Sequence, residues 1–257
     1  MAAEIIKTED PSYAKYEEVL LRRDNLRKEA EQYHLEFIKI FGDLIMESFR
    51  MKIECIRKKK MISYCQKIMN IGKDINRDDL ARFIEREMAE YQKQLEDIIN
   101  DVKTARSAER VSQADMIRIK KIYYALVKLI HPDMHPDLAE DEKIKEYWQR
   151  IVTAYRYNDL EELQELDALV RMYLEGRDPG SAGIRIDDID SRIRKIEEEI
   201  DEILSTEPYL YRLLLTDDKA IEERKQEYRN EIEAYQKYMV ELEEVLSSFD
   251  IQEGMLS

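Results

Sequence analysis

The stretch 118–155 constrains the fold most, because its pattern predicts two amphipathic helices separated by a loop that holds two prolines. Apolar residues recur at helical spacing on both sides of this loop. They are Met116, Ile119, Tyr123, Leu126, Val127 and Ile130 before it, and Ile144, Trp148, Ile151 and Tyr155 after it. Because Pro132 and Pro136 cannot continue a helix, we expect the second helix to run back along the first. This hairpin would bury Trp148 and present residues 131–133 at its turn.

The first helix of the pair has a marked start and a basic outer face. Ser112, with Asp115 three residues later, forms a capping-box pattern, which is typical of a helix N-terminus. Arg118, Lys121 and Lys128 lie on the side away from the apolar residues, and we refer to them as the basic face. The whole chain has a net charge of −15. The acidic charge of the chain as a whole argues against general nucleic-acid binding, whereas the local basic face allows one acidic protein partner.

Three consecutive patterns in this region resemble those of the J-domain, the DnaJ-type co-chaperone module. The matching segments are KKIYYAL at 120–126, HPDMHPD at 131–137 and WQRIVTAY at 148–155. They correspond to the helix II pattern of that family, its His-Pro-Asp loop and its helix III pattern, in the same order. The resemblance covers about residues 112–166, and we place the J-domain-like module at 109–176.

The resemblance implies a function in trans. A J-domain docks on a DnaK-type ATPase chaperone and stimulates its ATP hydrolysis, which locks substrate onto the chaperone. The chaperone-binding residues that it implies here are His131, Pro132 and Asp133, which we call the HPD loop, together with Arg118, Lys121 and Lys128 of the basic face. The His and Asp would make specific polar contacts, the Pro would hold the turn, and the basic face would steer an acidic surface by long-range attraction. The apolar and aromatic residues of the two helices would be scaffold.

Two departures from the family pattern support an alternative hypothesis. Met134 stands where the family usually has a basic residue, and no helix I pattern precedes Ser112. We expect the helix that ends near Val102 to take the place of helix I. In the alternative, the chain is a non-enzymatic coiled-coil interaction protein whose J-like hairpin serves only as scaffold. A helix buried over the basic face would favour the alternative, because a docking face must be accessible.

The region before the hairpin is predicted to form long helices. Residues 1–11 are interpreted as a tail, and 12–108 as two or three long helices packed antiparallel. Apolar residues with three-and-four spacing run through Tyr16, Leu20, Leu26, Phe37, Leu44, Phe49, Ile56, Met61, Leu80, Ile84, Met88, Leu95 and Val102. Gly42-Asp43 is expected to kink or end the first helix, and Gly72 to end the following one.

The C-terminal region carries the most regular periodicity in the chain. A glycine-rich linker at 177–184 precedes an acidic segment, 185–257, whose isoleucines alternate in steps of three and four from Ile186 to Ile203. A second stripe runs from Ile221 to Phe249, so we expect an antiparallel coiled-coil hairpin. Its longer arm would pack on the N-terminal helices or on a second copy of the chain. A protein client would be recruited by the helical N-terminal region or by this coiled-coil hairpin. The apolar turn between the arms is either a short helix that closes the hairpin or a partner-docking surface.

The sequence lacks the patterns of catalytic, metal and membrane sites. Six glycines at helix ends and in one linker provide no phosphate-binding loop, and Cys55 and Cys65 match neither a disulfide framework nor a zinc site. The histidines and aspartates of 131–137 lack further ligands at metal-binding spacing. No uncharged apolar run of about 18 residues and no signal-peptide core is present. We therefore predict an all-α cytoplasmic protein that is not an enzyme, needs no cofactor or metal, and binds neither nucleic acid nor membrane.

Overall fold

The structure is a computed structural model that describes residues 11–107, 111–175 and 188–249. All regular secondary structure in these residues is helical, which confirms the all-α prediction. The helices are α1 (Pro11–Asn70), α2 (Arg77–Ser107), α3 (Gln113–Ile130), α4 (Glu142–Tyr157), α5 (Leu160–Glu175), α6 (Ile189–Ser205), α7 (Tyr211–Leu215) and α8 (Asp218–Ser247). None of them is long and apolar enough to cross a membrane. The predicted linker, 177–184, and residues 1–10 of the predicted tail lie outside the described residues.

The chain divides into two compact units whose boundaries differ from the predicted ones. The first unit comprises Met1–His34 and Ala108–Arg212, and the second comprises Leu35–Ser107 and Leu213–Ser257. The segments predicted as single regions, 12–108 and 185–257, are therefore each divided between the units. Helical periodicity predicts which face of a helix is apolar, but it does not specify which other helix covers that face.

The core of the first unit joins the predicted hairpin to helices from both ends of the chain. The apolar stripes of α3, α4 and α5 are buried together, and Trp148 packs half-buried against them. The part of α1 in the first unit, residues 11–34, and the isoleucine stripe of α6 complete this core, and we call this part of α1 the α1 segment. The buried residues that these two helices contribute are Tyr13, Tyr16, Val19, Leu20, Ile189, Ile193, Ile196 and Ile200. The α1 segment covers the hairpin where we expected the helix ending near Val102, which belongs to the second unit.

Local signals determine where the hairpin helices begin and end. The Ser112 side chain accepts a hydrogen bond from the backbone N–H of Asp115, as the capping pattern predicted. Helix α3 ends at Ile130, two residues before the first proline of the loop. Asp141 caps α4 by accepting from the backbone N–H groups of two residues in its first turn. At the other end of α4, Asn158 adopts the left-handed conformation with φ 59°, which stops the helix.

In the second unit, the C-terminal part of α1 pairs antiparallel with α2. Asp43 pairs with Arg106, and Lys60 pairs with Glu87, so a position later in α1 contacts a position earlier in α2. Helix α1 does not end at Gly42, which was one of the two predicted alternatives, because it continues through this residue to Asn70. The glycine instead permits close helix packing, since a Cβ placed on it would lie 2.8 Å from Cγ2 of the α2 residue Val102. The predicted stop at Gly72 is confirmed by its φ of +69° directly after α1.

Helix α8 packs in the second unit on the predicted apolar face. Ile232, Leu242 and Leu246 are buried along this face. Polar contacts tie it to α1: the Ser48 hydroxyl donates to Glu231 Oε2 at 2.8 Å, and Lys58 Nζ lies 3.1 Å from Glu243 Oε1. The two arms of the predicted coiled-coil hairpin therefore belong to different units, with α6 in the first and α8 in the second. Short helix α7 forms within the apolar turn between them.

Candidate functional site

The HPD loop is a tight turn directly after α3. The backbone N–H of His131 closes the last turn of the helix by donating to the Val127 carbonyl at 3.0 Å. The His131 carbonyl then accepts from the backbone N–H groups of Met134 at 2.9 Å and His135 at 2.8 Å. Inside the loop, the backbone N–H of Asp133 donates to His131 Nδ1 at 3.0 Å. The three motif residues are thus held in one conformation by main-chain geometry and by the histidine ring itself.

The His131 side chain is inside the first unit, at 3% exposure. Its ring meets the indole of Trp148 edge-on, with the ring centroids 4.6 Å apart. Burial lowers the pKa of His131 to about 4, although the carboxylates of Asp24 and Asp133 oppose this effect. The imidazole is therefore neutral at pH 7. Because Nδ1 accepts a hydrogen bond, Nε2 carries the proton. The buried ring thus holds the loop in shape through its bond with the Asp133 backbone.

Asp133 lies at the edge of the α1 segment, and its side chain is 45% exposed. Its Oδ2 atom is 3.9 Å from Arg23 Nη1, and its backbone carbonyl accepts from the Tyr16 hydroxyl at 3.5 Å. Both contacts are long, so they hold the loop near α1 but leave the Asp133 carboxylate accessible to solvent. Of the two ionisable side chains in the HPD loop, only Asp133 is accessible to a partner in this conformation.

A buried polar network links α1 to the helix before the loop. The guanidinium of Arg23 donates through Nε and Nη2 to Asp24 Oδ1, at 3.2 and 3.1 Å. Asp24 Oδ2 accepts from the Tyr123 hydroxyl at 2.8 Å. Burial, reinforced by the Asp24 carboxylate, raises the pKa of Tyr123. This hydroxyl is therefore a donor at any physiological pH, and the two buried charges are paired and hydrogen-bonded.

A second polar connection fixes the tyrosines of the matched segments. Asn25 donates from Nδ2 to the Tyr124 hydroxyl at 2.5 Å and accepts from the Tyr155 hydroxyl at 2.6 Å through Oδ1. The ring of Tyr155 stacks on that of Tyr123 with centroids 3.7 Å apart. These tyrosines hold the two hairpin helices together and connect them to α1.

The basic face is exposed. Arg118 and Lys128 have side chains that are 66% and 58% exposed, and Lys121 is exposed as well. Arg118 pairs with Asp115 of its own helix at 3.4 Å, and Lys128 Nζ lies 2.7 Å from Oε1 of Glu17 in α1. Helix α1 therefore touches one end of this face, and none of the described helices buries it.

A cavity of about 320 Å³ adjoins the HPD loop between the α1 segment and α4. Its walls include the aromatic residues around the loop and three arginines. The lining residues are Arg23, Asp24, Arg27, Tyr123, His131, Pro132, Asp133, Trp148, Val152, Tyr155 and Arg156. Sequence reasoning missed the α1 residues of this site. An adjacent arginine and aspartate, such as Arg23 and Asp24, are far more often exposed than buried, so the sequence offered no signal for them.

Within the part of the chain that the structure describes, no group of three or more His, Cys, Asp or Glu side chains is arranged to hold a metal ion. Comparison with protein-family models, with curated proteins and with solved structures finds no match to this chain.

Proposed function

We propose that this chain is a J-domain-type co-chaperone that docks on a DnaK-type ATPase and stimulates its ATP hydrolysis in the cytoplasm. The observation that carries the proposal is the placement of the HPD loop. The loop lies at the turn of the α3–α4 hairpin, its Asp133 carboxylate is accessible, and the basic face continues from it along α3. A turn that served packing alone would need neither the accessible acid nor the exposed cations.

In this proposal the residues of the site have two roles, to fix the conformation of the loop and to contact the partner. His131 shapes the loop, since its neutral ring is buried and accepts from the Asp133 N–H. Pro132 prevents the helix from continuing. The Asp133 carboxylate meets the partner, and the basic face attracts an acidic surface on the ATPase. Attraction between exposed charges acts mainly on the association rate and weakens with salt.

The second unit has a separate task in this proposal, which is to recruit a client. Helix α8 directs its apolar face inward and its charged residues outward, so recognition by this unit would use a charged helical surface. The chaperone-docking site lies wholly in the first unit. We therefore propose that one unit engages the ATPase and the other holds the client.

A specific observation favours the scaffold hypothesis as the second candidate. Two of the three motif residues already have internal contacts: His131 packs on Trp148, and Asp133 lies 3.9 Å from Arg23. A hairpin that only stabilised the first unit would use its residues in this way. In that case, removal of the Asp133 charge would change stability and nothing else.

The experiment that decides is steady-state ATP hydrolysis by the DnaK-type chaperone of the host with this protein added. We expect the wild type to stimulate hydrolysis, and Asp133→Asn and His131→Gln to abolish the stimulation while circular dichroism remains helical. Asp137→Asn is the matched control, because it removes the same charge from an exposed position four residues further along the loop. No stimulation by the wild type would leave the scaffold hypothesis in its place. Equal stimulation by the wild type and all three variants would contradict the proposed role of the HPD loop.

A further inference from the structure

One guanidinium nitrogen lies between the HPD loop and α6. Arg23 Nη1 is 3.3 Å from Oε2 of Glu199 in α6 and 3.9 Å from Oδ2 of Asp133. The other two donor nitrogens of this side chain are engaged by Asp24 Oδ1. The two remaining carboxylates therefore share Nη1, and in this structure Glu199 is the closer.

Two further contacts hold Glu199 and α6 in this position. The same Oε2 atom of Glu199 accepts from Arg27 Nη2 at 3.0 Å, so two guanidinium groups one helical turn apart hold one carboxylate oxygen. The Tyr16 hydroxyl, which donates to the Asp133 carbonyl, is itself hydrogen-bonded to Arg192 of α6. Helix α6 thus reaches both the side chain and the main chain of Asp133 through intermediate residues on α1.

We infer that Glu199 is a positioning residue for Asp133. By binding Arg23 Nη1, Glu199 prevents this guanidinium from closing on the Asp133 carboxylate, which stays available to a partner. The inference rests on the proposed function, since Asp133 is the group that the ATPase would contact. Helix α6 lies outside the hairpin and outside the resemblance. It would nevertheless determine whether the Asp133 carboxylate is available to a partner.

The physical basis is that a buried guanidinium is stabilised by negatively charged partners, and a neutral amide oxygen in place of a carboxylate accepts a weaker hydrogen bond. If Glu199 becomes neutral, the nearest remaining carboxylate to Nη1 is that of Asp133. A closure of about 1 Å would convert the 3.9 Å contact into a charge-assisted hydrogen bond. A partner would then have to break this bond before it could engage Asp133. The need to break a partly exposed ion pair of this kind would weaken binding of the partner about five-fold.

The test compares Glu199→Gln with the matched control Glu197→Gln in the full-length protein. Both substitutions remove one negative charge of α6 that pairs with α1. Glu197 pairs with Lys15 at 3.3 Å, whereas Glu199 pairs with Arg27 and is the only one of the two that contacts Arg23. Nitrogen-15 NMR records two signals, the backbone amide of Asp133 and the Nε–H of Arg23. In parallel, ATPase assays record the concentration of each variant that gives half-maximal stimulation.

We expect Glu199→Gln to shift both NMR signals and to raise the half-maximal concentration about five-fold, whereas Glu197→Gln leaves all three values unchanged. NMR signals that respond equally to the two substitutions would overturn the inference. So would shifted signals with unchanged stimulation, because Asp133 would then be moved without consequence. If the wild type itself does not stimulate ATP hydrolysis, the proposed function fails, and the NMR comparison alone decides whether Glu199 positions Asp133.

Discussion

Acidification is expected to destabilise the first unit through His131. The ring is neutral and buried, and its pKa is lowered from 6.5 to about 4. Above pH 6.5 the residue is neutral in both the folded and the unfolded chain, so its protonation does not reduce the free energy of unfolding. Between pH 6.5 and 4 the unfolded chain binds a proton that the folded chain does not, and the free energy of unfolding falls. Below about pH 4 both states are protonated and the loss stops growing.

The pKa difference sets the size of the effect. A change from 6.5 to about 4 corresponds to a loss of about 3 kcal/mol in the free energy of unfolding across this pH range. Such a loss is a large part of the stability of an ordinary domain, which is about 5–15 kcal/mol. Acidic side chains also titrate in this range, so the contribution of His131 must be isolated by a variant that lacks the imidazole.

The assay is urea unfolding at pH 7 and at pH 4.5, followed by Trp148 fluorescence. This residue is the only tryptophan in the chain and lies against the His131 ring, so it reports the first unit. We expect His131→Gln to be less stable than the wild type at pH 7 but to lose less stability on acidification, by about 2–3 kcal/mol. Equal losses in the two proteins would refute the reasoning, because the pH dependence would then come from other groups.

Two further predictions test how the helices are assigned to the two units. Gly42→Ala should destabilise the second unit by about 1–3 kcal/mol, measured by urea unfolding followed by circular dichroism, because the new Cβ meets Val102 at 2.8 Å. Combining it with Val102→Ala should recover part of the loss, and no recovery would contradict the close approach. Ile193→Ala should lower the stability reported by Trp148 by about 2–5 kcal/mol, because α6 packs in the core that holds this tryptophan. An unchanged Trp148 transition would place α6 elsewhere.

Much of the hairpin could be predicted from the sequence, because its signals are local. The capping pattern at Ser112, the apolar stripe of α3 and the two prolines act within a few residues of where they stand. The same holds for the stop at Gly72. The continuation of α1 through Gly42 could not be predicted, because the contact that favours a small residue there comes from Val102, 60 positions away in the sequence.

The candidate site was predicted only in part. The HPD loop and the basic face were identified by their resemblance to a J-domain, and their function remains a proposal. The sequence did not predict that the two ionisable side chains of the loop differ in exposure, with His131 buried and Asp133 accessible. Arg23 and Glu199, which lie beside Asp133, have no local pattern that sets them apart from other charged residues on helices.

The sequence by itself determined which residues are helical, which faces of the helices are apolar, and where several of the helices start and stop. These properties depend on backbone geometry and on neighbours within one or two turns. Only the tertiary structure decided that α1 and α6 complete the core around the hairpin and that α8 packs in the other unit. The physical reason is that an apolar stripe gains the same free energy from any partner of matching shape. Which stripes meet, and which polar side chains become buried between them, depends on residues far apart in the chain.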